Sequence, residues 1–273
     1  MIFKTAGNPA DPAILFFHAM GVTADSSMPT SAVYCAEQKY ISKTDEIRQV
    51  LAFLKEQKIT KLCLIVTSSL CADLAISFIT ETEVPVDHVF FDGGQFAQIN
   101  KSVRRTMTPF LDLAIKSLYW SNGKTLKQIL WCDDEQIRPY FIETGKNLTY
   151  GNLHAQLSDS LENKPFPSLS KQEQEHTFFS FGSIEDHFKY RDNVMKSYLY
   201  SHYPVFDQYD HMQYQIRDPK GFAEMLIHIL DKTVCPLFHS LNNKERHFVL
   251  KKQFIKIQTG CVSTFNFLFS AFR

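Results

Sequence analysis

A chain of 273 residues with 44% hydrophobic and 21% charged residues has the size and composition of one sizeable α/β domain, or of one domain carrying an insertion. Its 29 basic and 29 acidic residues cancel to a formal net charge of +0, which leaves no electrostatic footprint for nucleic acid or an anionic membrane surface. Six cysteines (35, 63, 71, 132, 235 and 261) are scattered with no C-x-x-C pair, which argues against a zinc site or a disulfide scaffold and for reduced thiols in a cytoplasm. Met1–Ala10 has neither the basic start nor the apolar core of a secretory signal. The longest apolar candidate, Cys261–Phe272, is shorter than the roughly 18 residues a spanning helix needs and contains polar residues.

In chain order, Ala13–Phe17 (AILFF) reads as a strand buried on both faces, followed by His18-Ala19-Met20-Gly21 and a polar Ser/Thr-rich stretch. Such a loop, at the C-terminal end of a strand, is where open α/β sheets bind ligands. Only the weak run Ala32–Cys35 lies between Gly21 and Asp45, so a strand of the sheet is expected to be missing or truncated there. Asp45–Gln57 has Ile47, Val50, Leu51 and Leu54 at helical spacing, with Thr44 as its expected N-cap. Leu62–Val66 is a second buried strand. It turns through Thr67-Ser68-Ser69-Leu70-Cys71 into a helix with Leu70, Leu74, Ile76 and Phe78 on or near one face. Val89–Phe91 is a third strand, closed by Asp92-Gly93-Gly94, where Asp92 reads as a turn residue before it reads as an acid. Alternating strands and helices predict a doubly wound, mostly parallel sheet.

From Asn100 to Lys171 the pattern changes: helices are expected over Thr108–Tyr119 and Thr125–Trp131, with no buried strand, as in a helical insertion over the sheet. Alternation then resumes with a strand at His176–Phe181, a helix at His187–Ser201, a strand at Tyr203–Asp207 and a helix at Pro219–Leu230 with proline in its first turn. The domain reading is therefore a core of 1–99 and 172–232, an insertion of 100–171, and a Phe- and Lys-rich tail of 233–273 expected to be dispensable.

A strand that ends in a serine and passes at once into a helix has the layout of a nucleophile elbow, G-x-S-x-G, with Thr67 and Cys71 in place of the two glycines. Ser69, then Glu185 or Asp186, then His211 each follow a predicted strand. One end of a parallel sheet is the place that brings residues so distant in sequence within hydrogen-bond reach. A serine hydroxyl is a poor nucleophile until a base takes its proton, and a histidine oriented by a carboxylate is such a base. Read singly, each has a plainer role: Ser69 as a helix N-cap, Glu185 and Asp186 as acids in a helix first turn, and His211 as a surface histidine. Cys71, at a helix start, is a further nucleophile candidate.

Taken together, LFFHAMG, LIVTSSLCADLA, VFFDGG, FFSFGSIED and YDHMQY resemble an α/β-hydrolase of the compact type with a helical cap, over about Ile14–Leu230. The resemblance implies Ser69 as nucleophile, His211 as base, Glu185 as orienting acid with Asp186 as its close rival, and the backbone N–H groups of Leu70 and Met20 as an oxyanion hole. It implies a serine hydrolase acting on a small ester or related acyl substrate, with no metal or organic cofactor and a small molecule as partner. Acyl transfer and carbon–carbon hydrolysis use the same residues. Because Thr67 and Cys71 stand where the family has glycine, the N-terminal half is short and the tail fits no pattern, a catalytically impaired paralogue or ligand-binding protein of the same fold is the alternative.

Overall fold

Leu62–Ser68 carries seven residues of which six are buried, and the rest of the sheet is laid out around it. A computed structural model of the chain describes residues 2–3, 13–17, 32–33, 42–94, 96, 101–124, 142, 146, 149–160 and 166–232. Seven strands lie among them: β1 (Ile2–Phe3), β2 (Ala13–Phe17), β3 (Ala32–Val33), β4 (Leu62–Ser68), β5 (Val89–Asp92), β6 (Thr177–Gly182) and β7 (Val205–Phe206). Five form one parallel sheet in the order β2-β4-β5-β6-β7, the doubly wound layout expected from the sequence. β1 and β3 pair antiparallel in a separate two-stranded sheet, so the weak run at Ala32 contributes no strand to the described parallel sheet.

The apolar runs explain why both faces are covered. In β2, Leu15 and Phe17 face one core while Phe16 faces the other; in β4, Leu62 and Ile65 divide in the same way from Leu64 and Val66. The first core is closed by α1 (Lys43–Glu56), α2 (Ala72–Glu81) and α6 (Arg191–Ser197), through Val50, Leu54, Leu74, Phe78 and Val194. The second is closed by α8 (Pro219–Lys232), which brings Phe222, Leu226 and Ile229 onto Phe90 and Val66. Phe91 stacks on Phe179 at 4.7 Å between ring centroids, and Phe179 on Tyr198 at 5.4 Å, aromatic pairs worth about 0.5–1.5 kcal/mol each beyond their burial.

Several boundaries differ from the sequence reading for identifiable reasons. The N-cap of α1 is Ser42 and not Thr44: the Ser42 hydroxyl accepts the Asp45 N–H at 3.2 Å, and Thr44 lies inside the helix. β5 runs one residue further than expected, through Asp92, which is a buried strand residue and not part of the turn. α3 (Lys101–Trp120) begins well before Thr108 and carries Pro109 in its interior. The Thr-Pro pair resembles a helix start, but α3 continues through it and packs against α4 (Tyr150–Ser160). α4 and the short α5 (Lys171–Glu175) were not expected, although Ser170 and Glu173 form a capping box legible as S-x-x-E. β6 starts at Thr177 because His176 is the C-cap of α5. The helix expected over His187–Ser201 divides into a 3₁₀ turn at Asp186–Tyr190 and α6, which ends at Ser197 where Tyr198 leaves helical geometry. Another short helix, α7 (Gln213–Arg217), precedes α8. The helix expected at Thr125–Trp131 and the tail 233–273 lie outside the described residues. Among the described residues no helix is long and apolar enough to cross a membrane.

The N-terminal ends of β5 and β6 bring histidines together. His88 is 3% exposed and its ring lies 4.9 Å from that of His176. Burial, with the His176 ring adding to it, lowers the His88 pKa from 6.5 to about 4. The unfolded chain therefore binds a proton on His88 as pH falls through 6.5, while the native chain binds it only near 4. Stability is present above 6.5 and is lost between these values, at ~1.4 kcal/mol for each pH unit. Urea unfolding midpoints at pH 7.5 and 4.5 are expected to fall further apart in the wild type than in His88→Gln; equal slopes would remove His88 from the acid response.

Candidate active site

The candidate site residues follow three strand ends. β4 does not run directly into α2: Ser68 keeps extended backbone (φ −128°), Ser69 switches to the left-handed region (φ +54°), and Ser69–Cys71 form a 3₁₀ turn before Ala72 opens the helix. A non-glycine residue there costs on the order of 1–3 kcal/mol and persists only where its surroundings enforce it. Here the enforcing elements are β4, paired on both edges, and α2, packed in the core. The strained conformation sits at Ser69 alone. Cys71 is right-handed helical (φ −72°), and Thr67 stays in the β4 ladder opposite Phe17 and Phe91. Neither flanking position calls for glycine's conformational freedom, and the fully buried Thr67 and nearly buried Cys71 are accommodated by packing.

Glu185 and His211 arrive on two loops tied to each other. Ser183 N–H donates to the Phe206 carbonyl at 3.0 Å, Ile184 N–H to the Tyr209 carbonyl at 3.3 Å, and Gln208 N–H to Ser183 Oγ at 2.8 Å. Gly182 allows this approach, because a Cβ there would collide with the Tyr209 carbonyl. His211 then lies between its neighbours: Nδ1 is 2.9 Å from Glu185 Oε2, and Nε2 is 2.8 Å from Ser69 Oγ. A carboxylate only accepts, so Nδ1 carries the proton and donates it to Glu185. Nε2 is left with its lone pair turned toward the Ser69 hydroxyl. The Glu185 side chain is fully buried and that of His211 13% exposed, so the pair is shielded while the imidazole edge stays reachable.

The structure thus brings Ser69, His211 and Glu185 into one hydrogen-bonded line. The plainer roles are not the ones these side chains take: Ser69 caps neither turn nor helix, and Glu185 heads the Asp186–Tyr190 turn without a side-chain cap bond. Asp186 is the first residue of that turn, one position beyond the residue that meets His211. Leu70 occupies the second position of the 3₁₀ turn, where N-terminal N–H groups lack intrahelical acceptors. Met20, with His18, lies outside the described residues. The Cys71 thiol is pushed up by burial, with the charges of Glu46 and Asp73 adding to it, so its place at a helix start does not make it a thiolate.

Two neighbours of this line read from the sequence as residues closing a strand, Asp92 with an acid as its second reading. Gly93, at φ +58°, sits so that a Cβ would lie 2.7 Å from His211 Nδ1 and 3.3 Å from Glu185 Oε2. The Gly-Gly pair after β5 was visible, but the histidine against it was not. Asp92 is 2% exposed, and burial raises its carboxyl to about 7 against the lowering effects of the Ser180 hydroxyl and His211, with Glu185 adding to the rise.

No protein-family model and no curated protein matches the sequence. Solved structures do match the fold. A carboxylesterase from the ammonia-oxidising thaumarchaeon Nitrososphaera gargenis aligns over 85% of this chain and 96% of its own, with a TM-score of 0.63 at 15% identity. An α/β-hydrolase family protein from Desulfitobacterium hafniense aligns over 84% and 100%, with a TM-score of 0.64 at 14% identity. A thermophilic esterase from Thermogutta terrifontis aligns over 84% and 93%, with a TM-score of 0.59 at 11% identity. Identities this low speak for architecture alone, and that architecture agrees with the strand order and the two-sided core: the chain has the α/β-hydrolase fold.

Proposed function

We propose that the protein is a serine hydrolase that cleaves a small carboxylic ester or related acyl substrate. The observation that carries this reading is the unbroken line from Ser69 Oγ through His211 Nε2 and Nδ1 to Glu185 Oε2, with the serine held at a left-handed turn at the sheet's C-terminal edge. Similarity of fold to esterases supports the reaction class.

His211 takes the Ser69 proton as Oγ bonds to the acyl carbon, and the carbonyl π electrons move onto oxygen. The Leu70 N–H, with Met20 as the second donor, holds that oxyanion; one such donor is typically worth about 10²–10³ in turnover. When the intermediate collapses the carbon–oxygen bond to the alcohol breaks, and the alkoxide takes the proton from His211. Water then repeats the sequence on the acyl-enzyme: His211 accepts its proton, the hydroxide attacks, and Ser69 leaves reprotonated with release of the acid. Glu185 holds the imidazole in the required tautomer and stabilises its charged form. Residues 100–171, as a helical cap, would shape the acyl pocket.

The test is covalent labelling with a fluorophosphonate. Wild type is expected to label stoichiometrically and Ser69→Ala not at all. A folded wild type that stays unlabelled would turn the reading toward a ligand-binding member of the fold.

A further inference from the structure

Register aligns three polar residues across the central strands. Ser68 pairs with Asp92 and Asp92 with Ser180, all on the face that carries Val66 and Phe90 one pleat below, against Phe222 of α8. All three are at least nine-tenths buried, and none belongs to the Ser69–His211–Glu185 line. The residue after Asp92, Gly93, lies directly against His211 and Glu185, so the row runs beneath the proposed catalytic pair.

The hydrogen bonds around Asp92 are one proton short. Ser180 Oγ is 3.0 Å from Asp92 Oδ1 and 3.1 Å from the Phe91 carbonyl oxygen, both acceptors if Asp92 is ionised, yet the hydroxyl has one proton to donate. Among the described residues Asp92 Oδ2 is buried with no hydrogen-bond partner, as is Glu185 Oε1. An ionised Asp92 would therefore rest on one shared neutral donor, far less than a buried charge requires. With a proton on Oδ1 the network closes: Asp92 donates to Ser180 Oγ, and Ser180 donates to the Phe91 carbonyl.

We propose that Asp92 is a second, positioning carboxyl of the site, which takes up and releases a proton on Oδ1, and whose protonation state sets how strongly the site holds the His211 imidazolium. The proposal rests on the hydrolase reading for its bearing on turnover, but Asp92 and His211 can be observed without turnover. Burial raises Asp92 to about 7, which places the exchange of its proton in the neutral range. Among the described residues the titratable groups acting on it are His211 and Glu185. Its other neighbours are the hydroxyl of Ser180 on β6, Ser68 on β4 and the apolar side of α8. Loss of the proton leaves two carboxylates beside one imidazole. The three groups then titrate together, and the added negative charge favours the imidazolium, by up to roughly tenfold in proton affinity.

The deciding measurement is the NMR titration of the His211 ring in wild type, Asp92→Asn and Ser180→Ala, with infrared difference spectra of wild type minus Asp92→Asn. Asp92→Asn is expected to lower the His211 midpoint by up to roughly one pH unit, because it removes a charge that favours the imidazolium. Ser180→Ala, which leaves Asp92 harder to ionise, lowers it by less and stands in should the asparagine variant fail to fold. The infrared spectrum at pH 5.5 should lose a neutral-carboxyl band that in wild type titrates away near pH 7. An unchanged His211 midpoint in a folded variant, or no neutral-carboxyl band, overturns the proposal. A protein that shows both signals yet takes no fluorophosphonate keeps this inference and loses the hydrolase reading. In an active enzyme the wild-type to Asp92→Asn ratio of kcat/KM should grow with pH, whereas a merely structural role would leave it flat.

Discussion

Ser69→Ala, His211→Ala and the double variant are expected to lose turnover of p-nitrophenyl acetate by nearly the same factor, roughly 10⁴- to 10⁶-fold in kcat. Side chains joined at 2.8 Å in one proton path act as a unit, so removing either stops the transfer that the other needs. KM should change little, because neither side chain holds the ester's acyl or alcohol portion. Steady-state kinetics on the three variants, each shown to be folded by circular dichroism, provides the check. Losses that multiply in the double variant would mean that Ser69 and His211 contribute independently, and the proton path would have to be abandoned.

Gly93→Ala is expected to combine two costs. At φ +58° an added Cβ strains the backbone by about 1–2 kcal/mol. The same carbon would stand 2.7 Å from His211 Nδ1 and 2.8 Å from Cε1, so the imidazole must move. A displacement near 1 Å in a reacting group typically costs ~10²-fold in rate. The variant should therefore unfold at lower urea and lose about a hundredfold or more in kcat/KM. Gly151, in α4 with nothing within 4 Å of an added Cβ, supplies the control: Gly151→Ala should leave activity unchanged and stabilise the helix by up to about 1 kcal/mol. Equal behaviour of the two variants would mean that Gly93 has no special bearing on His211.

The legible parts of this protein were those governed by local physics. Runs such as AILFF and LCLIV bury both faces, and that burial made β2 and β4 readable as central strands before any partner was known. The spacing in DEIRQVLAFLKE marked α1, although its start moved to Ser42 because two nearby hydroxyls both suit a cap and only one has extended backbone. The order Ser69, Glu185, His211 along the chain was likewise visible. α4 was not, because its polar sequence has little apolar periodicity and takes its partner from α3. The helix expected from Thr108 starts earlier, at Lys101, and runs through Pro109.

By itself the sequence determined that strands and helices alternate around a parallel sheet, and that a serine, an acid and a histidine follow strand ends. Those properties reside in hydrophobic runs and in residue order. Tertiary structure alone decided that Glu185 meets His211, because hydrogen bonds between the 183–185 and 206–209 segments bring its Oε2 to the ring. It also decided that Thr67 and Cys71 are compatible with the elbow, since the left-handed conformation falls on Ser69 and not on them. Asp92 changed most. In the sequence it closes a strand before two glycines; in the fold, strand register buries it between two serines, and burial raises its carboxyl to about 7.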